Sequence, residues 1–222
     1  MRSTAVAIVL LSVREGTLSV VLLRRPGNRW GLPGSELADT EGLEQAAAEV
    51  LRRDAGALPN AIEQLYTFDV PADRLTVAYL ALGTPERSPL TPGPGIVEVR
   101  WFAVSEVPPL ESPDHLALAV ATERLRGKAA YAPVALSMLP GAFTLAELQT
   151  VYEAALGASL DARNFRRDVL AAGLVEPTGG NRPGPGRPAK LYQAGGGLLS
   201  LGERERRLAG SLTPAGGDPQ EV

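Results

Sequence analysis

The sequence predicts an α+β protein built as a mixed sheet-and-helix domain followed by a small helical domain ending in a hairpin. Three observations carry this. Up to Phe102 the chain alternates Val/Ile/Leu-rich runs with one amphipathic stretch, the pattern of strands around a helix. Beyond Gly127 it changes to short helical segments closed by two brief apolar runs. Its 222 residues, against a norm of about 150 per domain, allow one to two domains, each large enough to bury a core.

The elements follow in order. Thr4–Val13 and Thr17–Arg25 flank Arg14-Glu15-Gly16 as a hairpin. Pro26 to Glu41, with two prolines and three glycines, reads as loop. Leu43–Ala55 reads as a helix, its stripe being Ala46, Ala47, Val50 and Leu51, with Gly56 just past its end. Glu63–Val70, Leu75–Leu82 and Val99–Phe102 read as strands, and Asp114–Arg126 as a helix with apolar Leu116, Ala119, Val120 and Leu125. The first domain is expected over 1–127 and the second over 128–205. Residues 206–222, rich in Gly and Pro, are expected to be a disordered tail. In the second domain Pro133–Leu139, Thr144–Leu156 and Asp161–Ala172 read as helices. Thr144 and Glu147 form a capping box, and Gly157 and Gly173 end their helices. The runs Leu174–Val175 and Ala189–Gln193 enclose a loop from Gly179 to Pro188. Three helices and a two-stranded wing make a winged helix-turn-helix.

Composition excludes several chemistries. With no cysteine there is no disulfide framework, iron–sulfur cluster or Cys-rich zinc site. One histidine, His115, excludes a His-triad metal site, and its place at a helix start reads as capping or packing. The longest apolar run, Thr4–Val13, is about half a membrane span and lacks a small-residue cleavage site. No membrane segment is expected, and the localisation expected is cytoplasmic. The net charge is −3, yet Ser159–Tyr192 carries six basic against three acidic residues.

That local excess has a pattern. At 100° per residue, Ala162, Phe165, Val169 and Ala172 fall on one side of the third helix, with Arg163, Asn164, Arg167 and Ala171 opposite. An apolar back with an Arg/Asn front suits a helix that enters a DNA major groove. Arg166 lies between the faces, where it reaches a phosphate or braces Glu147 or Glu153. Arg182, Arg187 and Lys190 on the Pro/Gly-rich loop suit a wing laid along the backbone or minor groove. The candidate DNA-contacting set is Thr144, Arg163, Asn164, Arg166, Arg167, Arg182, Arg187 and Lys190. The alternative reading is a solvated charged face for the helix and a flexible turn for the loop.

Trp30-Gly31-Leu32-Pro33-Gly34, followed by Glu41 and the helix to Gly56, resembles the Nudix hydrolase box, G-x5-E-x7-R-E-U-x-E-E-x-G-U with U aliphatic. Glu41, Leu51 and Gly56 match it. Ser35 replaces the first glycine, Glu49 the arginine and Val50 its neighbouring glutamate, while Arg53 and Asp54 replace the glutamate pair. Positions 50, 53 and 54 share a helical face, where three carboxylates would hold Mg²⁺ for phosphoanhydride hydrolysis. An arginine about 4 Å from that site repels a unit charge by about 4 kcal/mol at an effective dielectric of about 20, and a divalent ion by twice that. Loss of catalysis is therefore expected: no catalytic residue, no cofactor and no metal, the only remaining candidate ligands being Glu41, Glu49 and Asp54. Arg53 could instead clamp an anion, or belong to a surface charge cluster with Glu49 and Asp54.

The stretch Phe143-Thr144-Leu145-Ala146-Glu147-Leu148-Gln149, with Tyr131-Ala132-Pro133 before it and Asn164-Phe165-Arg166-Arg167, Gly173-Leu174-Val175-Glu176 and Leu191-Tyr192 after it, resembles the C-terminal domain of the Nudix-related transcriptional regulators, the NrtR family. The two resemblances together imply a Nudix-like α/β/α sandwich followed by a winged helix-turn-helix. They imply a homodimer on a palindromic double-stranded DNA operator, most often a repressor of NAD-related genes, released by ADP-ribose or a related nucleotide. Arg24, Arg25, Arg29, Trp30, Glu41 and Arg53 are the expected effector contacts. A silent box fits a sensor, since hydrolysis would erase its signal. The rival reading is an Mg²⁺-dependent pyrophosphatase for ADP-ribose-like substrates, using Glu41, Glu49 and Asp54, with an accessory winged domain. A protein-interaction role for the winged domain is the third.

Overall fold

The structure, a computed structural model, describes residues 3–37, 42–70, 74–130, 133–184 and 188–195. Glu41, Arg187 and the tail expected over 206–222 lie outside the described residues. The chain forms two compact units, Met1–Arg124 and Leu125–Val222. The division between them falls inside a helix.

In the first unit, β1 (Ser3–Arg14) and β2 (Thr17–Arg25) form the expected hairpin, with Glu15 and Gly16 at positive φ in its two-residue turn. Near-continuous apolar stretches in both bury on both faces, as central strands do. β5 (Ala61–Val70) and β6 (Arg74–Leu82) pair antiparallel, and β6 lies parallel to β1 with Val6 opposite Val77. β7 (Glu98–Ala103) adds to β2. The loop expected over Pro26–Glu41 contains two short strands, β3 (Arg29–Gly31) on β2 and β4 (Gly34–Glu36) on β1. Three residues are too few to show a period, so only pairing reveals them. Gly34 is required there, because a Cβ would strike the Val6 carbonyl oxygen at 2.7 Å.

The box helix packs its predicted stripe into the sheet. α1 spans Leu43–Val50 and continues as a π-turn, Leu51–Ala55, ended by Gly56 at φ +63°. Ala47, Val50, Leu51 and Ala55 join Val6, Ile8, Leu10, Val21 and Tyr79 in one core. In α2 (Asp114–Ala129) the buried residues are Ala117, Leu118, Ala121, Leu125 and Ala129, whereas Leu116 and Ala119 are exposed. Leu116 to Ala121 is apolar throughout, so its inward phase was not decidable from periodicity.

In the second unit, a 3₁₀ turn (Pro133–Met138) precedes α3 (Leu145–Leu156) and α4 (Ala162–Ala171). The capping box is formed, and Gly157 closes α3 in the left-handed region. The wing strands, β8 (Val175–Arg182) and β9 (Ala189–Ala194), run longer than expected, because β8 carries Gly179 and Gly180 through a register shift. A bridge between Phe143 and Tyr192 ties the wing to the start of α3. Phe143, Leu148, Tyr152, Phe165 and Val169 form the centre of this unit. No described helix is long and apolar enough to cross a membrane.

Candidate functional site

α4 starts sharply because the Asp161 carboxylate accepts the Asn164 backbone N–H at 2.8 Å. Phe165 and Val169 anchor its back, the Phe165 ring meeting Tyr152 edge-on at 5.5 Å. Burial pushes the Tyr152 hydroxyl pKa upward, and that hydroxyl has no partner among the described residues. With the back fixed, Arg163, Asn164, Arg166, Arg167 and Leu170 face solvent. Ala162, expected inward, is exposed: as the first helical residue it has no preceding turn to cover it.

The cations on this surface are not equivalent. Arg163, Arg166 and Lys190 have no partner among the described residues. Arg166 therefore braces neither Glu147 nor Glu153. Arg167 is braced: Nε and Nη2 meet the Asp168 carboxylate at 2.7 and 3.2 Å, and Nη1 donates to Asn164 Oδ1 at 3.1 Å. The bond to Asp168 raises the pKa of the Arg167 guanidinium further above its ordinary value. Arg182 turns inward from β8 to the Glu147 carboxylate and the Ala142 carbonyl. Thr144 is buried as the cap of α3, its hydroxyl accepting the Glu147 N–H at 3.2 Å. Thr144 and Arg182 thus hold the domain together with the atoms expected to face DNA.

In the first unit a cavity of about 260 Å³ opens between β1, β4, β6 and the start of α2. Arg25, Glu36, Arg74, Thr76 and Asp114 line it beside Val6 and Leu32. Asp114 accepts the Leu32 N–H at 2.8 Å. Its burial raises its carboxyl pKa, against the opposing pull of that bond and of Arg25 and Arg74. Arg25 reaches the Leu32 and Gly34 carbonyls at 3.4 and 3.3 Å. The Thr76 hydroxyl is buried with no partner among the described residues. A cavity with two arginines, two carboxylates, a free hydroxyl and an apolar wall suits a polar organic molecule that carries a flat or apolar part.

Of the expected effector contacts among the described residues, Arg25 alone lines this cavity. Arg24 donates to Glu98 at 2.7 Å and lies 5.8 Å from the Trp30 ring centre, while Trp30 packs edge-on against Phe102. Arg29 pairs with Glu111 on the exposed surface. Arg74, Thr76 and Asp114 were not legible beforehand. They come together through the β1–β6 pairing and the return of α2, and no local motif signals that.

The box helix does not present a cation site. Asp54 is 4% exposed and pairs with Arg53 at 2.6 Å, while Glu49 pairs with Arg52 at 2.5 Å. Arg52 holds the Glu49 carboxyl below its usual range. Val50 lies in the core. Among the described residues no three His, Cys, Asp or Glu side chains are grouped to hold a metal ion. The Mg²⁺ that a Nudix fold implies does not fit these residues.

Comparison with known proteins agrees with both units. Residues 1–122 match the model of the NUDIX domain, and residues 135–194 that of the NrtR DNA-binding winged helix domain. The chain is 29% identical over 201 residues to an ADPR responsive transcriptional repressor of Acinetobacter baylyi, covering 85% of this chain and 80% of that one. It is 33% identical to Shewanella oneidensis NrtR crystallised with a 27-mer DNA, with TM-score 0.77 over 86% of this chain and 93% of that one. The separate NUDIX domain of that protein, crystallised with ADP ribose, matches at 28% identity and TM-score 0.52, covering 56% of this chain and 89% of that one. A degenerate Nudix domain joined to a winged helix, matched along most of its length by an NrtR protein, places this chain in the NrtR family.

Proposed function

We propose that this chain is a sequence-specific transcriptional repressor whose winged domain binds operator DNA and whose Nudix domain binds ADP-ribose or a related nucleotide as effector. The observation that carries it is the front of α4: Arg163 and Arg166 face solvent, unpaired among the described residues, on a helix anchored behind by Phe165 and Val169. Unpaired guanidiniums on a rigid helix keep their donors for guanine edges or phosphates, at no cost in broken internal pairs. Asn164, the braced Arg167 and Lys190 complete the surface. Dimerisation would place two such helices about 34 Å apart on a palindrome.

The effector reading rests on the cavity beside β1 and β6. Arg25 and Arg74 supply charge for a diphosphate, and the Thr76 hydroxyl and Asp114 supply hydrogen-bonding partners for a ribose or base. Its volume suits one part of a dinucleotide rather than the whole. Ligand that prefers one dimer geometry would shift the spacing of the recognition helices and so weaken DNA binding. The domain is proposed to be catalytically silent, because the front of its box helix offers Arg53 and a neutralised Asp54 where a divalent ion needs carboxylates.

Fluorescence anisotropy of the full chain with duplexes selected by it from a random library tests this. Selective, salt-sensitive binding that ADP-ribose weakens is expected, with no Mg²⁺-dependent release of AMP. Absence of selective binding refutes the regulator, and EDTA-sensitive AMP release refutes the silent domain.

A further inference from the structure

Leu170 breaks the polar character of the α4 front. It is 44% exposed, one of few large apolar side chains on the described surface. Buried Phe165, Val169 and Ala172 define the back of the helix. At 100° per residue the opposite direction falls among Arg163, Arg167 and Leu170, with Arg166 beside them. Leu170 therefore sits seven residues from Arg163 on the same line, two turns along. A leucine on a cationic face that stays 44% exposed among the described residues adds little to the core of its own domain.

We propose that Leu170 is a specificity-determining residue that reads a thymine through its 5-methyl group in the major groove. This rests on the DNA-binding reading above. The residues Arg163, Arg166, Arg167 and Leu170 stand at i, i+3, i+4 and i+7, the spacing with which a homeodomain recognition helix reads bases. The thymine methyl is the one apolar group on the floor of that groove, so an exposed isobutyl group has one matching partner there. Seven residues at 1.5 Å rise span about 10.5 Å, or about three base-pair steps at 3.4 Å. The thymine is thus expected about three steps from the base pair read by Arg163. The surrounding guanidiniums, with Arg167 held by Asp168 and Asn164, would draw the phosphates toward this face. A partner protein docking on Leu170 would have to bring its own carboxylates to Arg163 and Arg166, whereas every DNA phosphate carries that charge.

The test uses the full chain and its library-selected duplex, resynthesised with deoxyuridine replacing thymidine at one position at a time. Loss of one buried methyl should weaken wild-type binding about fourfold per half-site at one position. Leu170→Ala should bind the thymidine duplex with about that loss and show no further penalty at that position. Leu170→Asn should shift preference there toward adenine. Thermal unfolding of both variants at the wild-type midpoint is expected, since the side chain is at the surface. Selective binding with no thymidine-to-uridine penalty anywhere, or a penalty that persists in Leu170→Ala, overturns the proposal and leaves the regulator reading intact. Failure of the library to yield any selected duplex overturns both.

Discussion

Arg182 separates a residue that builds the DNA-binding domain from one that touches DNA. Its guanidinium links β8 to the Glu147 carboxylate and the Ala142 carbonyl, so Arg182→Ala removes one tie between the wing and the start of α3 and leaves the Phe143–Tyr192 bridge. Both side chains are 41% exposed, which limits the ion pair to about 0.2–1 kcal/mol. The hydrogen bond to Ala142 adds about 1 kcal/mol, for a total near 1–2 kcal/mol. At a urea slope of about 1 kcal/mol/M this is a fall of about 1–2 M in the midpoint. The capping box survives, because Thr144 still holds Glu147. A double-mutant cycle with Glu147→Gln should return a coupling of about 0.5–1 kcal/mol. DNA affinity should fall as the wing loosens, yet the slope of log K against log salt should not change. A phosphate contact would instead remove about 0.9 from that slope. A coupling near zero with a slope reduced by that amount would show Arg182 on DNA and refute the internal role.

Arg163→Ala should cost about 1–3 kcal/mol per half-site and relax selectivity at one base pair, read by anisotropy against a panel of single substitutions. Asp168→Ala should weaken DNA binding by freeing the Arg167 side chain, and Arg167→Ala should then add little further loss, as another double-mutant cycle can read. Asp114 gives a pH dependence. Its folded carboxyl titrates above the ordinary 3.8, so the folded state binds that proton more tightly than the unfolded chain. This contributes stability present below pH 3.8 and lost as pH rises through the raised value. Asp114→Asn keeps an acceptor for the Leu32 N–H, so urea midpoints should increasingly favour the variant above pH 3.8. A gap that does not vary with pH would contradict the burial argument.

What was legible in the sequence follows from range. Local rules sufficed for the β1–β2 hairpin, the α1 stripe, the Thr144–Glu147 capping box and the glycines closing α1 and α3, because each is decided within about five residues. The apolar back of α4 was legible for the same reason. Three-residue strands carry no period, so β3 and β4 were hidden in a loop rich in Gly and Pro. The cavity was illegible because Arg25, Arg74 and Asp114 are far apart in sequence. Pairing states were illegible too: nothing in an arginine's own position says that Arg182 faces Glu147 while Arg163 faces water.

The proposed silence of the first domain is testable at Arg53, on the box helix. Its back supports the domain: Leu51 and Ala55 are fully buried, the Asp54 and Ala55 carbonyls accept the Gly93 and Thr91 N–H groups at 3.1 and 2.9 Å, and a Cβ on Gly93 would collide with the Arg53 carbonyl. None of these contacts needs a carboxylate in front. The π-turn draws Asp54 inward, and Arg53 neutralises a charge that burial would otherwise make costly. Arg53→Glu therefore does not restore a metal site, although it moves the sequence toward the hydrolase pattern. It places a second carboxylate against a buried one while Val50 remains in the core. The variant should unfold at lower urea by about 1–2 M, corresponding to about 1–2 kcal/mol, and excess Mg²⁺ should not recover the difference. Full recovery by Mg²⁺ would mean that this helix still gathers a divalent ion and that the silent-domain reading is wrong.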